Sequence, residues 1–236
     1  MKKRTGRRKY GKSISRRYRR RVRRSSKRRI PIVMPNSYLT KLRYVETFGL
    51  DGAAAQSAVH VFRANGLFDP NMTGGGHQPK GFDQIALFWK RFHVLGSRIR
   101  VSQYDLTNAS ISPYALWGVG LSNTGTSFSA RALDDILEGE KSTQLIRLAG
   151  NVNTNSLIGP VKRTVATVKF SAKKFFGKSA VHDIEYSCTN AADPTIQAYF
   201  EVWAVGDGTS NPGTMLFLAQ IEYIVLCDEP IFLSQS

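Results

Sequence analysis

Seventeen of the first thirty residues are Lys or Arg and none is Asp or Glu, so the chain's plainest chemistry is that of a polycation. The bases are Lys2, Lys3, Arg4, Arg7, Arg8, Lys9, Lys12, Arg16, Arg17, Arg19, Arg20, Arg21, Arg23, Arg24, Lys27, Arg28 and Arg29, with Tyr10 and Tyr18 among them. Arg outnumbers Lys by 12 to 5, and guanidinium forks match phosphate oxygens bidentately and stack on bases. The tyrosines can stack on unpaired bases. Such a segment is expected to bind nucleic acid tightly and sequence-tolerantly, with an affinity that salt weakens through counterion release. Nuclear import is a second, compatible use of basic runs. An anionic membrane is a poorer partner, because no Trp, Leu or Phe face accompanies the charge.

Other candidate chemistry is sparse. Gly6-Arg7-Arg8-Lys9-Tyr10-Gly11-Lys12-Ser13 formally matches the P-loop pattern, but it lacks the flanking strand and helix that aim a P-loop's amides at phosphate. Phe176-Gly177-Lys178-Ser179 has Ala172 at the first glycine position. His60, His77, His93 and His182 show no metal-ligand spacing with one another or with Cys188 and Cys227. Asp134, Asp135 and Glu138 read as a solvated helix face, the alternatives being pairing with Arg131 or Lys141 or binding of a cation. No GxSxG, HExxH or CxxC motif occurs. No catalytic residue, metal or cofactor is expected. The cysteines are expected to be free thiols in a reducing compartment, with Cys227 buried.

The remainder must be a folded body. The chain has 236 residues and a net charge of +17, and residues 31–236 hold equal numbers of bases and acids. A neutral body therefore carries a basic arm, which dense repulsion should keep disordered in isolation. Extended, the arm would reach roughly 100 Å at about 3.3 Å per residue. No apolar run is long enough to span a membrane, and the N-terminus lacks the apolar middle of a signal peptide. Pro31 and Pro35 close the arm.

Beyond them, strand-like segments recur between Gly, Asn, Pro and Ser. They are residues 38–48, 58–63, 94–104, 114–121, 142–148, 164–170, 196–205 and 215–227. In the seventh, Ala198, Phe200, Val202 and Ala204 alternate with Tyr199, Glu201, Trp203 and Val205. The eighth is apolar on both faces apart from Gln220 and Glu222, which suits a strand inside a sandwich or under a neighbouring subunit. Residues 82–92 place Ile85, Phe88, Trp89 and Phe92 at helical spacing, and residues 130–138 place Leu133, Ile136 and Leu137 together. The fold expected is all-β: an eight-stranded antiparallel jelly-roll sandwich with short helices in its loops, barrel alternatives remaining open. Residues 1–30 form the disordered arm and 31–236 the single jelly-roll domain.

Residues 65–101 carry Phe68-Asp69-Pro70, Gly76-His77-Gln78-Pro79, Gly81-Phe82-Asp83-Gln84, an aromatic run to Phe92, and Val94-Leu95-Gly96-Ser97. This combination resembles the capsid proteins of circovirus-like, circular Rep-encoding single-stranded DNA viruses. Phe170-Ser171-Ala172-Lys173-Lys174-Phe175-Phe176-Gly177 resembles a second segment of them. The resemblance implies a homo-oligomeric T=1 shell of about sixty copies, its arms turned inward on a circular single-stranded DNA genome. About sixty such arms would supply on the order of 1,000 positive charges. It also implies a place in the virion, and in the host nucleus during assembly by way of import receptors. Gly76, His77, Gln78, Pro79, Asp83 and Gln84 are implied to contribute to subunit contacts, the alternative being an ordinary mobile loop. Gly74, Gly75 and Gly76 can adopt positive φ, which lets a long loop turn sharply.

Two other classes compete. A cellular ribosomal or chromatin-type module would normally extend its binding surface onto the body, which here nets to zero. An enzyme on a jelly roll would need a convergent carboxylate pair or a histidine cluster, and neither is visible. An RNA-virus coat protein differs only in its cargo.

Overall fold

The computed structural model describes residues 35–106, 116–138, 142–147, 165–177, 183–206, 208–209, 211 and 213–231. These residues all fall within one compact unit, Met34–Ser236. The arm lies outside the described residues.

Alternation of large apolar and polar side chains builds the strands. In chain order they are β1 (Ser37–Gly52), β2 (Ala58–Arg63), β3 (Trp89–Leu106), β4 (Leu116–Ser122), β5 (Ser142–Arg147), β6 (Val165–Ser171), β7 (Ser187–Cys188), β8 (Tyr199–Val205) and β9 (Gly213–Pro230). The helices are short: α1 (Phe82–Ala86), α2 (Leu133–Glu138) and α3 (Ala172–Phe176). A 3-10 turn, Ile184–Tyr186, precedes β7.

One sheet runs in the order β1-β9-β3-β6, with β7 paired to one end of β3, and the other runs β2-β8-β4-β5. All pairings are antiparallel. The chain passes back and forth between the sheets, and neighbours in a sheet are mostly distant in sequence. Two four-stranded sheets in this interleaved order make a jelly roll. All eight expected strands are present.

The core fills the space between the sheets. From β9 it takes Met215, Phe217, Ala219, Ile221, Tyr223, Val225 and Cys227; from β8 and the residue before it, Phe200, Val202, Ala204 and Ala198; and from β1, Leu42, Tyr44, Phe48 and Leu50. Each large side chain buried this way contributes about 1.5–3 kcal/mol. Outward residues of β9, among them Leu216, Leu218 and Leu226, are half-buried, and Ile224 is exposed. The second sheet has a smaller cluster on its outer face, where Trp203 and Val205 pack under Phe128 and Ile136.

The helix expected over residues 82–92 is corrected. Only its first part is helical, and from Trp89 the chain is strand β3. Arg91 and Phe92 pair with Asp228 and Cys227 of β9, and Phe92 also with Cys188 of β7. These long-range ladders override a short apolar run whose spacing fits either period. Phe88, expected on the buried face, is exposed at the corner between α1 and β3. The second helix starts at Leu133, three residues later than expected.

Candidate subunit and nucleic-acid interfaces

The segment that follows β2 is a strap across one side of the sandwich. It first returns along β2. The Arg63 amide donates to the Pro70 carbonyl (2.8 Å), and the Met72 amide donates to that of Val61 (3.0 Å). The Val61 amide donates to the Thr73 hydroxyl (2.7 Å). β2 ends its sheet, so these bonds satisfy an otherwise open edge. The strap then reaches β1, the edge of the other sheet, where the Lys80 amide donates to the Arg43 carbonyl (3.3 Å).

Arg63 anchors the start of the strap. Its Nη1 lies 3.1 Å from an Asp69 carboxylate oxygen and its Nε 3.4 Å from one of Asp193. Asp193 also accepts from the Phe68 amide (3.2 Å). Burial raises the Asp193 carboxyl's pKa and the Arg63 charge opposes the rise. Asn65 clamps the strap to the segment before β8, donating to the Ile196 carbonyl (2.9 Å) and accepting from the Ala198 amide (2.9 Å). A Cβ on Gly66 would lie 2.5 Å from Asp193 Oδ1. The Phe68-Asp69-Pro70 motif is thus a structural knot.

The middle of the strap is shaped by Asn71, whose Oδ1 accepts from the amides of Thr73 and Gly74 (both 3.1 Å). Its Nδ2 donates to Glu46 on β1 (2.9 Å). None of Gly74, Gly75 and Gly76 uses the positive φ open to it. Gly76 is required by close approach, since a Cβ there would sit 2.7 Å from the Tyr44 hydroxyl oxygen. The positive φ falls at Gly81 (89°), which leads into α1.

The structure brings the six expected interface residues onto this one strap. His77 is exposed and stacks on Tyr44, Gln78 is half-buried, and Pro79 is buried. Asp83 and Gln84 are exposed on the first turn of α1, and Leu87 and Phe88 follow as exposed apolar side chains. The Lys80–Arg43 hydrogen bond and the His77–Tyr44 stack tie this segment to β1.

The nineteen expected nucleic-acid-binding residues, from Lys2 to Arg29, lie outside the described residues. So do His182 and Lys141. Asp134, Asp135 and Glu138 are exposed and form no ion pair among the described residues. His60 packs against Phe48 with ring centroids 4.2 Å apart. Among the described residues no group of three His, Cys, Asp or Glu is placed to hold a metal. Both thiols are buried and free. Burial alone pushes the Cys227 thiol up to about 11, and burial raises that of Cys188 further.

Sequence reasoning missed a set of bases on the outer face of the β1-β9-β3-β6 sheet. Arg43 donates to Glu222 Oε1 (2.8 Å) and Arg98 to Glu222 Oε2 (2.7 Å). Arg100, Lys41 and Lys169 stand around them. The signal was available as bases two apart in two strand segments, Lys41 with Arg43 and Arg98 with Arg100, which period two puts on one face.

No family profile and no curated protein matches the sequence. Solved structures do match. Turnip yellow mosaic virus shares 9% identity over 86% of this chain and 87% of that one, with a TM-score of 0.42. Tobacco necrosis virus shares 15% over 84% and 98%, with a TM-score of 0.42. The 60-mer BFDV capsid protein shares 8% over 86% and 100%, with a TM-score of 0.44. Identities and TM-scores this low leave the fold to rest on the strand order itself.

Proposed function

We propose that this chain is the coat protein of a small icosahedral, circovirus-like virus, which self-assembles and packages a circular single-stranded DNA genome. The observation that carries the reading is a conjunction: an interleaved two-sheet body continuous, at the start of β1, with an arm of 17 bases and no acids. A rigid sandwich presents different loops and edges to neighbours around different symmetry axes, so one chain type can close a shell. The body's zero net charge limits repulsion at those contacts. The arm neutralises phosphates and releases their counterions, which suits compaction of a strand without regard to its sequence. Its basic runs would also serve nuclear import in the host cell. The choice of DNA rests on the resemblance carried by residues 65–101; an RNA genome is the second reading.

Electron microscopy of the purified full-length chain, with the absorbance ratio at 260 and 280 nm on the same sample, tests the proposal. Uniform small spheres with a high ratio are expected, and the extracted nucleic acid should be destroyed by DNase and resist RNase. RNase-sensitive cargo would leave the coat reading standing and overturn its DNA part. Dispersed monomers that merely bind oligonucleotides would point to a cellular nucleic-acid-binding module.

A further inference from the structure

The body's zero net charge hides a separation of charge. On the outer face of the β1-β9-β3-β6 sheet, Lys41, Arg43, Arg98, Arg100 and Lys169 surround one acid, Glu222. Strand register assembles them. Arg43 lies opposite Glu222, Glu222 opposite Arg98, and Arg98 opposite Lys169, in one row across all four strands. Arg100 is in the next row, opposite Gln220. With strands about 4.8 Å apart, a four-strand row spans about 14 Å, and rows on one face are about 7 Å apart.

Glu222 organises this face more than it neutralises it. Each carboxylate oxygen takes one guanidinium, from Arg43 or Arg98, and leaves the remaining N–H donors of both forks for another acceptor. Those two hydrogen bonds hold the Glu222 carboxyl below its usual pKa. Among the described residues no carboxylate pairs with Lys41, Arg100 or Lys169. A hollow of about 270 Å³ opens between Arg43, Arg98, Arg100, Gln220 and Glu222.

The geometry points to a second nucleic-acid site here: the outer face of the β1-β9-β3-β6 sheet takes the phosphate backbone of the packaged strand, with phosphate seated in the hollow among Arg43, Arg98 and Arg100. This deepens the reading of the chain as a packaging subunit and rests on it. Charge selects the occupant. A second copy of the chain carries +17 overall, so long-range repulsion opposes its approach, and its small acidic α2 face is the competing occupant that the test below separates. A polyanion drawn to the positive charge of the arm is drawn also to the bases of this face.

The test uses the full-length chain and a fluorescent thirty-nucleotide oligo-dT probe, with dissociation constants measured across a salt series. Each single-strand phosphate contact contributes about 0.7 to the slope of log affinity against log salt. The Arg98→Gln/Arg100→Gln double variant should therefore lower the slope by about 1.4, and Lys41→Gln/Lys169→Gln by a similar amount. Arg131→Gln, away from this face, should leave it unchanged. Circular dichroism checks that each variant is folded. Arginine-selective modification read by mass spectrometry should show Arg98 and Arg100 protected only when the probe is bound. Unchanged slopes in both double variants beside a steep wild-type slope would overturn the second site and leave the arm's role intact. A flat wild-type slope would overturn the packaging reading itself. Protection without probe would mean that another copy covers the face, and would overturn the proposal.

Discussion

The imidazole of His77 stacks on the ring of Tyr44, with centroids 4.7 Å apart and planes inclined by 27°. One residue is exposed on the strap and the other is fully buried in β1. The Tyr44 hydroxyl donates to the Glu46 carboxylate, which also accepts from Asn71. Burial raises the Tyr44 pKa, Glu46 adds to the rise, and the His77 amide works against it. The strap's shape is thus written partly in β1. Tyr44→Phe removes the donor to Glu46 and should cost about 1–2 kcal/mol. Urea unfolding should show a lower midpoint, and limited proteolysis should open the strap near residues 72–80. Wild-type values in both would detach the strap's order from Tyr44.

Gly120 faces the ring of Phe128. A Cβ at Gly120 would lie 2.1 Å from Phe128 Cε2 and 2.3 Å from Cζ. The loop carrying Phe128 cannot simply lift away, because its amides at Ser127 and Phe128 donate to the buried carboxylate of Glu201 (3.1 and 3.0 Å). Gly120→Ala should therefore destabilise by about 1–3 kcal/mol, the usual cost of overpacking. A thermal melt should move down by several degrees. Gly75→Ala, where a Cβ meets nothing within 4 Å, is the control. Equal melts for the two variants would refute this account of the β4 loop.

The two examples show which parts of the molecule the sequence carries openly. Alternation such as Phe200, Val202 and Ala204 against Glu201, Trp203 and Val205 is local, and it placed β8 and separated its two faces, of which the structure puts the first against the main core. The same locality misled at Phe88 and Trp89, where pairing with β9 decides the structure. Partners that meet only through the fold were invisible: Glu201 with the Phe128 amide, Arg63 with Asp193, Arg43 and Arg98 with Glu222. The six strap residues were found by motif, but the reason for Gly76 was not, because Tyr44 is distant in sequence. Net charge concealed the basic sheet face, since a sum over residues carries no information about register.

Acid should weaken the body through His60. Burial lowers its pKa from the usual 6.5, with Glu46 and Asn71 pulling the other way. Below pH about 6.5 the unfolded chain therefore binds a proton that the folded chain resists. Stability should be flat with respect to this group above pH 6.5 and fall as pH drops below it. His60→Gln has no such proton, so its denaturation midpoint should decline less between pH 7 and pH 5.5 than the wild type's. Parallel declines would assign the acid sensitivity to other groups.

Removing residues 2–30 takes away 17 bases and no acids. If the arm supplies most of the phosphate contacts, the truncated chain should lose nearly all packaged nucleic acid. The absorbance ratio at 260 and 280 nm should fall to a protein-like value, and residual oligonucleotide binding should have a much shallower salt slope. Circular dichroism should still report the sandwich, because its core cluster is drawn from Leu42 onward. Particles that keep their nucleic acid without the arm would refute the arm's role.

Leu87 and Phe88 sit at the turn between α1 and β3 with 68% and 41% of their surfaces exposed. They adjoin Asp83 and Gln84 in sequence, so the strap ends in an apolar corner rimmed by polar side chains, the composition of an interface centre and its edge. Leu87→Ser removes little buried area and should leave the unfolding free energy close to wild type, whereas Phe88, more than half covered and packed edge-on against Trp89, should cost about 1–3 kcal/mol without preventing folding. In a shell the same change recurs at every symmetry-related contact, so a small loss per subunit is multiplied over the particle. Light scattering under assembly conditions should show a higher critical concentration, with the Leu87→Ser/Phe88→Ser double variant assembling least. Loss of folding in the single variants would return Phe88 to the core. Normal shells from the double variant would show that this corner faces solvent rather than a neighbour.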